Sequence, residues 1–421
     1  MAIQAVRGVK DILPEDMPKW HYVERIARRV LETHGYQEIR TPIFEKTALF
    51  TRGIGETTDI VEKEMYTFAD KGGEMLTLRP EATAAIARAY TEHKLYFPPG
   101  VFKVYCIGPM FRYERPQAGR YRQFYQIDAE ALGSSSPYID AEIIVMLITL
   151  LHELGLEQLA LHLNTLGDAQ CRPLYREELR RFLGAHLSRL CPDCQGRYER
   201  NPLRILDCKN PQCQQILTTA PTVQDYLCPA CRQHFETVLQ LLTAVDVPYV
   251  LDARLVRGLD YYTRTTFEIL APGLGAQNAV VGGGRYDGLV EAIGGPSTPG
   301  IGFAIGMERL IALLEEKGVV FPSPQPMVFL AALGEQAQTK AFQLVCTLRR
   351  LGIAIEMEYE PKSLKSQLRR ANKLGVRYTL ILGEDELSSG KIVIKEMQGE
   401  GQERIDLSQV VPFLQQKLAL V

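Results

Sequence analysis

The 421-residue sequence has no apolar run that approaches the roughly 20 residues needed to span a bilayer. Its first ten residues also lack the hydrophobic segment that a secretory signal carries. We therefore expect a cytoplasmic protein that does not contact a membrane. In that compartment, the nine cysteines are expected to be thiols or metal ligands rather than disulfides.

The sequence also lacks the common phosphate-binding loops. No Walker-type G-K-[ST] occurs, and the near match to G-x-G-x-x-G in GIGFAIGMERL has the wrong spacing. If the protein binds a nucleotide, it must use other groups. The formal net charge is only −2, so any contact with nucleic acid is expected to come from local basic patches.

The length of the chain predicts two or three domains. Residues 170–245 are rich in Arg, Glu, Gln and Cys and have helical periodicity, so we interpret them as an inserted helical domain. The proline-rich segment GVVFPSPQP predicts a linker, after which β and α units alternate and predict a small sheet, parallel in its first half. We therefore divide the chain into residues 1–325, interrupted by the insertion, and residues 326–421.

The most informative polar segment runs from Phe111 to Glu130, FRYERPQAGRYRQFYQIDAE. It predicts two β-strands joined by a loop at residues 115–120, where Pro116 and Gly119 favour a turn. Because alternate strand residues share a face, one face should combine arginines, an aromatic ring and carboxylates. The residues on that face are Arg112, Glu114, Arg122, Phe124, Gln126, Asp128 and Glu130. Such a face could bind phosphate, a base and an ammonium group, and the alternative is a merely solvated hairpin.

Three other segments place polar or flexible residues where a ligand could bind. MLTLRPE predicts a strand that leads into a helix, with Arg79, Glu81 and Thr83 near the helix N-terminus. The three consecutive glycines of NAVVGGGRYDGL favour either a tight bend between strands or a floor under a ligand. GIGFAIGMERL predicts a strand that breaks at Gly306 into a helix, with Arg309 in its first turn.

Near the C-terminus, residues 362–374 predict a helix with a basic face. Lys362, Lys365, Arg369 and Lys373 lie on that face, and Arg370 flanks it. Because no acidic residue interrupts the helix, contact with a phosphate backbone is one interpretation and a solvated face is the other.

Together these stretches resemble class II aminoacyl-tRNA synthetases, and RGLDYYTRTTFE and VGGGRYDGL resemble the histidyl-tRNA synthetase family in particular. The region around Pro42 resembles the first class II motif, residues 111–130 the second and GIGFAIGMERL the third. The resemblance covers residues 5–421 in the family's order. It implies a mixed α/β (α+β) fold, with an antiparallel-sheet catalytic domain, a helical insertion and a C-terminal α/β anticodon-binding domain. It also implies a homodimer that meets at the first motif.

The resemblance implies roles for individual residues. Those that would bind histidine are Glu81, Ala82, Thr83, Arg112, Gln126, Glu130, Arg257, Tyr261 and Tyr262. Of these, Glu130 and Tyr262 would hydrogen-bond the imidazole, whose two nitrogens can donate and accept. Those that would bind ATP are Arg112 at the α-phosphate, Glu114 at the adenine edge, Phe124 at the adenine face and Arg309 at the γ-phosphate. The catalytic groups would be Arg112, Arg257 and Arg309, and the tRNA acceptor end would contact Arg115 and Gln117.

The implied activity is that of a histidine–tRNA ligase, which attaches L-histidine to tRNA(His) through a histidyl-adenylate and releases pyrophosphate and AMP. Mg²⁺ would accompany ATP. The reaction needs no protein nucleophile, so it would depend on positioning and on charge stabilisation, with Arg257 near the α-phosphate.

Two alternative functions are considered. One is a non-catalytic regulatory paralogue that binds histidine and partners ATP phosphoribosyltransferase; the presence of Arg112, Arg257, Arg309 and residues 327–421 argues against it. The other is a different class II synthetase, which the run from Arg257 to Glu268 argues against.

Three cysteine pairs lie in the inserted segment, and two of them have the C-x-x-C spacing typical of structural zinc sites. The predicted ligands are Cys191, Cys194, Cys228 and Cys231, the third pair being Cys208 and Cys213. Unliganded thiols are the alternative, since several family members carry serine or acidic residues at these positions. One further departure is Arg264, which stands where many relatives have glycine.

Overall fold

The computed structural model describes residues 3–56, 58–115, 119–271, 279–322, 327–399 and 401–418. The chain divides into two compact units, Met1–Phe321 and Pro322–Val421. Within the described ranges, no helix combines the length and the apolar character needed to cross a bilayer.

The described part of the first unit contains both helices and strands. Its helices are α1 (Met17–Thr33), α2 (Thr47–Ile54), α3 (Thr83–Glu92), α4 (Pro137–Glu153), α5 (Cys171–Gly184), α6 (Pro192–Arg200), α7 (Pro211–Leu217), α8 (Pro229–Ala244), α9 (Leu289–Ala292) and α10 (Met307–Glu316). Its strands are β1 (Gln37–Glu38), β2 (Phe44–Lys46), β3 (Tyr66–Ala69), β4 (Met75–Leu78), β5 (Phe102–Phe111), β6 (Gln123–Leu132), β7 (Ala160–Thr165), β8 (Val250–Leu251), β9 (Thr263–Leu270), β10 (Ala279–Arg285) and β11 (Gly300–Gly306). Residues 171–244 form helices and turns without a strand.

Eight of these strands form one sheet in the order β1-β5-β6-β11-β10-β9-β7-β8. The pairs β1–β5 and β7–β8 are parallel, and the other neighbours are antiparallel. The expectation of a mixed fold built on an antiparallel sheet is therefore confirmed. A smaller sheet, β2-β4-β3, lies at the segment that resembles the first class II motif.

The hairpin of β5 and β6 differs from the prediction at its tip. Strand β5 ends at Phe111, so Arg112 and Glu114 lie in the connection and not on a strand. The ladder stops because the Tyr113 N–H donates to the Glu64 carbonyl at 2.7 Å instead of bonding across the hairpin. The predicted turn at Pro116 lies outside the described residues.

The two faces of β6 have opposite chemistry. Ile127, Ala129 and Ala131 point into the main hydrophobic core, which α1, α4, α8 and α10 share with the sheet. Residues at the alternate positions of β6 point away from this core, as the period of two requires. The apolar side chains of α4 supply much of that core.

A buried ion pair fixes the end of β10 against α4. Arg285 is fully buried and donates through Nε to Asp140 at 3.1 Å, with Nη2 bonded to the same carboxylate. Its Nη1 donates to the Ser134 carbonyl at 2.8 Å and to Asp287 at 2.9 Å. The buried charge is thus both neutralised and hydrogen-bonded, which is the condition for tolerating it in a core.

The second unit is an α/β domain. Its helices are α11 (Glu335–Arg350), α12 (Leu364–Lys373), α13 (Glu384–Ser388) and α14 (Val410–Leu418), and its strands are β12 (Val328–Ala332), β13 (Ile355–Met357), β14 (Tyr378–Leu382), β15 (Lys391–Glu396) and β16 (Gln402–Asp406). The sheet order is β13-β12-β14-β15-β16. The first three strands are parallel and the last two antiparallel, as predicted.

Candidate active site

A cavity of about 280 Å³ opens on the polar face of β6. Phe124, Gln126, Asp128 and Glu130 line it, which is the set that strand alternation predicts. Arg122 is the exception, because its guanidinium lies 3.9 Å above the Tyr113 ring and does not line the cavity.

Basic and aromatic groups gather where β6 begins. The guanidinium of Arg112 lies 5.3 Å from the Phe124 ring centre, and its Nε donates to the Pro80 carbonyl at 2.8 Å. Arg309 donates to the Ala279 carbonyl at 2.8 Å, and burial together with Arg120 lowers its pKa. Each of the two anchored arginines keeps further N–H groups available for an anion.

Glu114 lies beside these arginines. Its carboxylate accepts from Arg120 at 2.9 Å and lies 3.9 Å from Arg112. One acidic group thus offsets part of the positive charge at the start of β6.

Carboxylates and hydroxyl groups gather at the other end of the cavity. Glu130 accepts from the Thr83 hydroxyl at 2.6 Å and from the Tyr286 hydroxyl. Burial raises the pKa of Glu130 to about 8. Glu81, whose pKa is also raised by burial, accepts from the Thr83 and Ala84 N–H groups at 2.9 Å and so caps the N-terminus of α3. The predicted strand followed by a helix is therefore confirmed, and it brings Glu81 and Thr83 to the cavity. Arg79 does not line the cavity and instead donates to the Thr41 and Pro109 carbonyls.

Gly282 and Gly284 of β10 form a floor under the cavity, whereas Gly283 faces the core, where a Cβ would meet the Phe267 ring. None of the three glycines forms a bend. They lie in the middle of the sheet, between β9 and β11, so the tight-bend alternative is wrong. A Cβ on Gly282 would overlap the Arg257 guanidinium, and a Cβ on Gly284 would come within 2.9 Å of the Tyr262 ring. The missing side chains therefore let an arginine and a tyrosine lie directly on the strand.

Arg257 is held by a partner that the sequence analysis did not single out. Its Nη1 forms an ion pair with Glu268 on β9, and its guanidinium lies 5.6 Å from the Tyr262 ring centre. Among the described residues that line the cavity, three have a buried polar atom without a hydrogen-bond partner. These atoms are Arg257 Nε, Asp128 Oδ2 and Gln126 Oε1. Burial, with Glu130 nearby, raises the pKa of Asp128 well above its ordinary value.

Strand register orders these groups along the sheet. Glu130 pairs with Gly302 and then Gly284, so Glu130 and Tyr262 lie at one level. Asp128 pairs with Ala304 and then Gly282, which places Asp128 and Arg257 at the next level. Phe124 lies four residues further back along β6, about 13 Å from that level. The cavity therefore runs from carboxylates, past Arg257, to the arginines beside Phe124.

The remaining predicted site residues are distributed as follows. Tyr261 lines the cavity, with its hydroxyl 3.4 Å from Glu81, and Ala82 is buried at the N-cap of α3. Arg115 is exposed in the connection after β5 and is not among the cavity-lining residues, whereas Gln117 lies outside the described residues.

Several residues at the site were missed by the sequence analysis. Tyr286, Glu308 and Arg120 line the cavity, and Glu268 forms the ion pair with Arg257. Tyr286 lies inside the quoted segment VGGGRYDGL and could have been found there. Glu308 accepts from the Tyr125 N–H at 3.0 Å, and burial raises its pKa to about 7. No local pattern distinguishes it from a surface acid in the first turn of a helix.

The prediction that one zinc site contains both C-x-x-C pairs is wrong. Cys191 and Cys194 lie with Cys208 and Cys213, whereas Cys228 and Cys231 lie with Cys171 and Asp168. The C-x-x-C spacing is a local signal, but the fold of the insertion decides which pair meets which.

The basic helix of the second unit is only partly free to bind an anion. Lys362 and Arg370 both pair with the buried carboxylate of Glu358, at 3.3 and 3.0 Å. Lys365, Arg369 and Lys373 are exposed.

Comparison with known proteins agrees with this geometry. Residues 8–310 match a family model described as "Histidyl-tRNA synthetase", and residues 327–417 match one described as "Anticodon binding domain". A histidine–tRNA ligase of Desulforamulus reducens is 54% identical over 409 residues, covering 97% of this chain and 98% of the relative. One from Syntrophotalea carbinolica is 52% identical over 417 residues, covering 99% of each chain.

A crystal structure of apo S. aureus histidyl-tRNA synthetase has a TM-score of 0.84 and 38% identity, and the match covers 98% of this chain and 99% of that one. The two family models together account for both compact units, and the relatives match over nearly the full length. The chain belongs to the histidyl-tRNA synthetase family.

Proposed function

We propose that this chain is an enzyme that activates L-histidine with ATP and transfers the histidyl group to tRNA(His). The observation that carries this proposal is the order of groups along the sheet. Carboxylates and tyrosine hydroxyls suit an amino acid at one end, arginines and an aromatic face suit a nucleotide at the other, and Arg257 lies between them.

Histidine is proposed to bind with its imidazole near Glu130, Tyr262 and Tyr286. Glu130 already accepts from Thr83 and Tyr286, and its remaining acceptor sites suit an imidazole N–H. The unpartnered oxygens of Asp128 and Gln126 suit the α-ammonium group, whereas both Glu81 oxygens accept from the helix N-terminus. An amino acid without the imidazole pattern would leave these buried groups unpaired, which disfavours its binding.

ATP is proposed to bind at the start of β6, with adenine on the Phe124 ring and its edge at Glu114. Arg112 would contact the α-phosphate and Arg309 the γ-phosphate, and Arg120 adds positive charge that the sequence analysis did not assign. ATP would enter as its Mg²⁺ complex, in which the ion neutralises triphosphate oxygens.

The reaction would then need no protein nucleophile. The histidine carboxylate attacks the α-phosphorus in line, the bond to the β-phosphate oxygen breaks, and pyrophosphate leaves. Arg257 would stabilise negative charge on the α-phosphoryl oxygens, with Glu268 holding its guanidinium in place. A ribose hydroxyl of the tRNA end next attacks the acyl carbon, and AMP leaves.

The tRNA is proposed to contact both units. In the first unit, Arg115 lies exposed near the cavity and suits the acceptor end, a role also proposed for Gln117. In the second unit, the exposed side chains Lys365, Arg369 and Lys373 suit an RNA backbone, whereas Lys362 and Arg370 share an ion pair with Glu358.

A homodimer through the small sheet β2-β4-β3 is also proposed. Phe44, Phe68 and Met75 on these strands are exposed by 44 to 52%, and Ile43 beside β2 by 45%. Large apolar side chains grouped on one exposed sheet are typical of a protein–protein interface.

The first prediction concerns amino-acid activation. Exchange of labelled pyrophosphate into ATP is expected with histidine and with none of the other nineteen amino acids. Arg257→Ala should lower kcat/KM of exchange by about 10²–10³-fold, because it removes a preorganised donor to the phosphoryl group. The exposed Arg254, three residues away, is the matched control, and Arg254→Ala should exchange normally. Absence of exchange with every amino acid, from a folded protein, would instead favour the non-catalytic regulatory function.

The second prediction concerns pH. Since the Glu130 pKa is raised from 4.5 to about 8, the folded protein binds more protons at this residue than the unfolded chain between those values. Stability must then fall as pH rises through that window, by up to about 1.4 kcal/mol per pH unit for this one group. Raising the pH from about 5 to about 8 should lower Tm, measured by thermal unfolding, more in the parent protein than in Glu130→Gln.

Glu153 provides the control for this measurement, because it is an exposed carboxylate on α4. Glu153→Gln should follow the parent profile. Parallel Tm profiles for the parent and Glu130→Gln would contradict the raised pKa of Glu130.

The third prediction separates the two units. Lys365→Ala with Arg369→Ala should lower aminoacylation of tRNA, with a smaller salt dependence of tRNA binding, because two phosphate contacts are lost. Pyrophosphate exchange should stay unchanged, since it needs no tRNA. The exposed Lys340 of α11 is the control, and Lys340→Ala should change neither assay. Equal aminoacylation by the double variant and the control would remove α12 from the tRNA interface.

The fourth prediction concerns assembly. Analytical ultracentrifugation should give a mass of two chains, and Phe44→Glu should give one, because it places a charge in the apolar contact. Phe342, which is exposed by 54% compared with 52% for Phe44, supplies the control. Phe342→Glu should remain dimeric, and a dimeric Phe44→Glu would exclude this sheet as the interface.

A further inference from the structure

The helical insertion contains two separate groups of metal-ligand side chains. In the first, the sulfur atoms of Cys191, Cys194, Cys208 and Cys213 all lie within 4.8 Å of one another. In the second, an oxygen of Asp168 and the sulfur atoms of Cys171, Cys228 and Cys231 do the same. We propose that each group binds one zinc ion, and we call them the four-cysteine site and the mixed site.

The spacing of the sulfur atoms fits tetrahedral zinc. Zinc–sulfur bonds of about 2.3 Å at tetrahedral angles place the sulfur atoms about 3.8 Å apart. Cys191 Sγ and Cys208 Sγ are 3.8 Å apart, far beyond the roughly 2.05 Å of a disulfide. Each group offers four ligand atoms, which closes the coordination shell and indicates a structural rather than a catalytic metal.

The backbone around both sites favours ionised sulfur. Cys191 and Cys228 each occupy the N-cap of a helix whose next residue is proline, in the repeated pattern C-P-x-C. The positive end of a helix dipole stabilises a thiolate, which is the form that binds metal.

Backbone N–H groups also point at the sulfur atoms. The Cys191 N–H donates to Cys213 Sγ at 3.2 Å, and the Cys228 N–H donates to Cys171 Sγ at 3.1 Å. In each site, therefore, a hydrogen bond already links the C-P-x-C segment to a ligand that is distant in sequence. This second observation is independent of the sulfur spacing, and each of these N–H donors would stabilise its sulfur as a thiolate.

The mixed site also accounts for Arg264. Its φ is +46°, in the left-handed region that glycine adopts more readily than any residue with a Cβ. Its guanidinium lies 3.4 Å from the second carboxylate oxygen of Asp168. Zinc with three thiolates and one carboxylate has a formal charge of −2, so a neighbouring cation lowers the cost of holding it partly buried. Arg264 is thus the counter-ion of the mixed site.

The mixed site lies where the insertion leaves the sheet. Asp168 and Cys171 follow the end of β7. Arg264 is the second residue of β9, and its backbone hydrogen-bonds to Leu166 and Gly167 at 2.7 Å. Arg172, next to Cys171, donates to the Tyr262 carbonyl at 3.0 Å. A metal here would join the start of the insertion to its last helix, α8, beside Tyr262, whereas the four-cysteine site joins α6 and α7 within the insertion.

Metal content tests the two sites directly. The full chain, purified under reducing conditions without chelator, should contain about two zinc ions by mass spectrometry of the metal, one for each proposed site. Cys208→Ser and Cys228→Ser should each remove one. Cys346 lies in the second unit outside both groups, and Cys346→Ser should retain two. A metal-free parent protein that also fails to bind cobalt would overturn the proposal. If the parent contains one zinc ion and only one of the two variants loses it, the proposal of two sites is overturned.

Cobalt substitution gives a readout that does not depend on folding of the variants. Titration of the zinc-free parent protein should saturate at two equivalents, with sulfur-to-cobalt charge-transfer absorption and tetrahedral ligand-field bands. Saturation at one equivalent, or octahedral bands alone, would contradict two closed tetrahedral sites.

The role of Arg264 is tested in the Cys208→Ser background, where only the mixed site remains. Arg264→Gly relieves the positive φ but removes the charge, and it should increase zinc release to a colorimetric chelator by about 10-fold or more. Arg264→Lys keeps the charge and should release zinc at a rate close to that of Arg264 itself. Equal release rates from the glycine and lysine variants would exclude the counter-ion role.

Discussion

The candidate active site depends on the absence of side chains at a few positions of two neighbouring central strands. At Gly282, Gly284 and Gly302, a Cβ would collide with Arg257, Tyr262 and Glu130 respectively. The floor of the cavity is therefore bare backbone, and three functional side chains can lie against it. Glycine weakens a strand, but these strands have hydrogen-bonded neighbours on both sides, which supports them where an edge strand would fray.

The arginines of the cavity are anchored with only part of their hydrogen-bonding capacity. Arg112 and Arg309 each give one donor to a backbone carbonyl, and Arg257 gives one side of its fork to Glu268. A guanidinium has five N–H donors, so each keeps others for an incoming anion while its position is already set. Donors arranged in advance of the reaction are the main source of electrostatic stabilisation in phosphoryl chemistry.

At the carboxylate end of the cavity, several acidic side chains are buried close together. Burial raises the pKa of Glu81, Asp128 and Glu130, so the free protein need not hold all three charges at once. Hydrogen bonds from Thr83, from Tyr286 and from the N-terminus of α3 keep two of these acids in place. A bound amino acid would bring its own donors, which would favour ionisation when the pocket is filled.

The sequence predicted the parts of this site that depend on local periodicity. Alternation along β6 predicted Phe124, Gln126, Asp128 and Glu130, and the helix N-terminus at Thr83 followed from the strand before it. Local patterns could not predict contacts between distant segments. Examples are the ion pair of Glu268 with Arg257 and the way in which the cysteine pairs of the insertion are grouped. The triple glycine shows the same limit. Three glycines indicate that other atoms lie close to the backbone, but the local sequence does not identify those atoms.

The buried pair of Arg285 and Asp140 connects the core to the cavity. Arg285, the last residue of β10, bonds to Asp140 of α4, while Tyr286, directly after the strand, bonds to Glu130. Because the Arg285 donors bond to Asp140, Asp287 and the carbonyls of Ser134 and Ser136, the end of β10 has little freedom to shift. His234 of α8, the last helix of the insertion, lies 3.5 Å from the same aspartate. The Asp140 carboxylate, on the core side of the sheet opposite the cavity, thus holds the strand end next to Tyr286 and lies beside the last helix of the insertion.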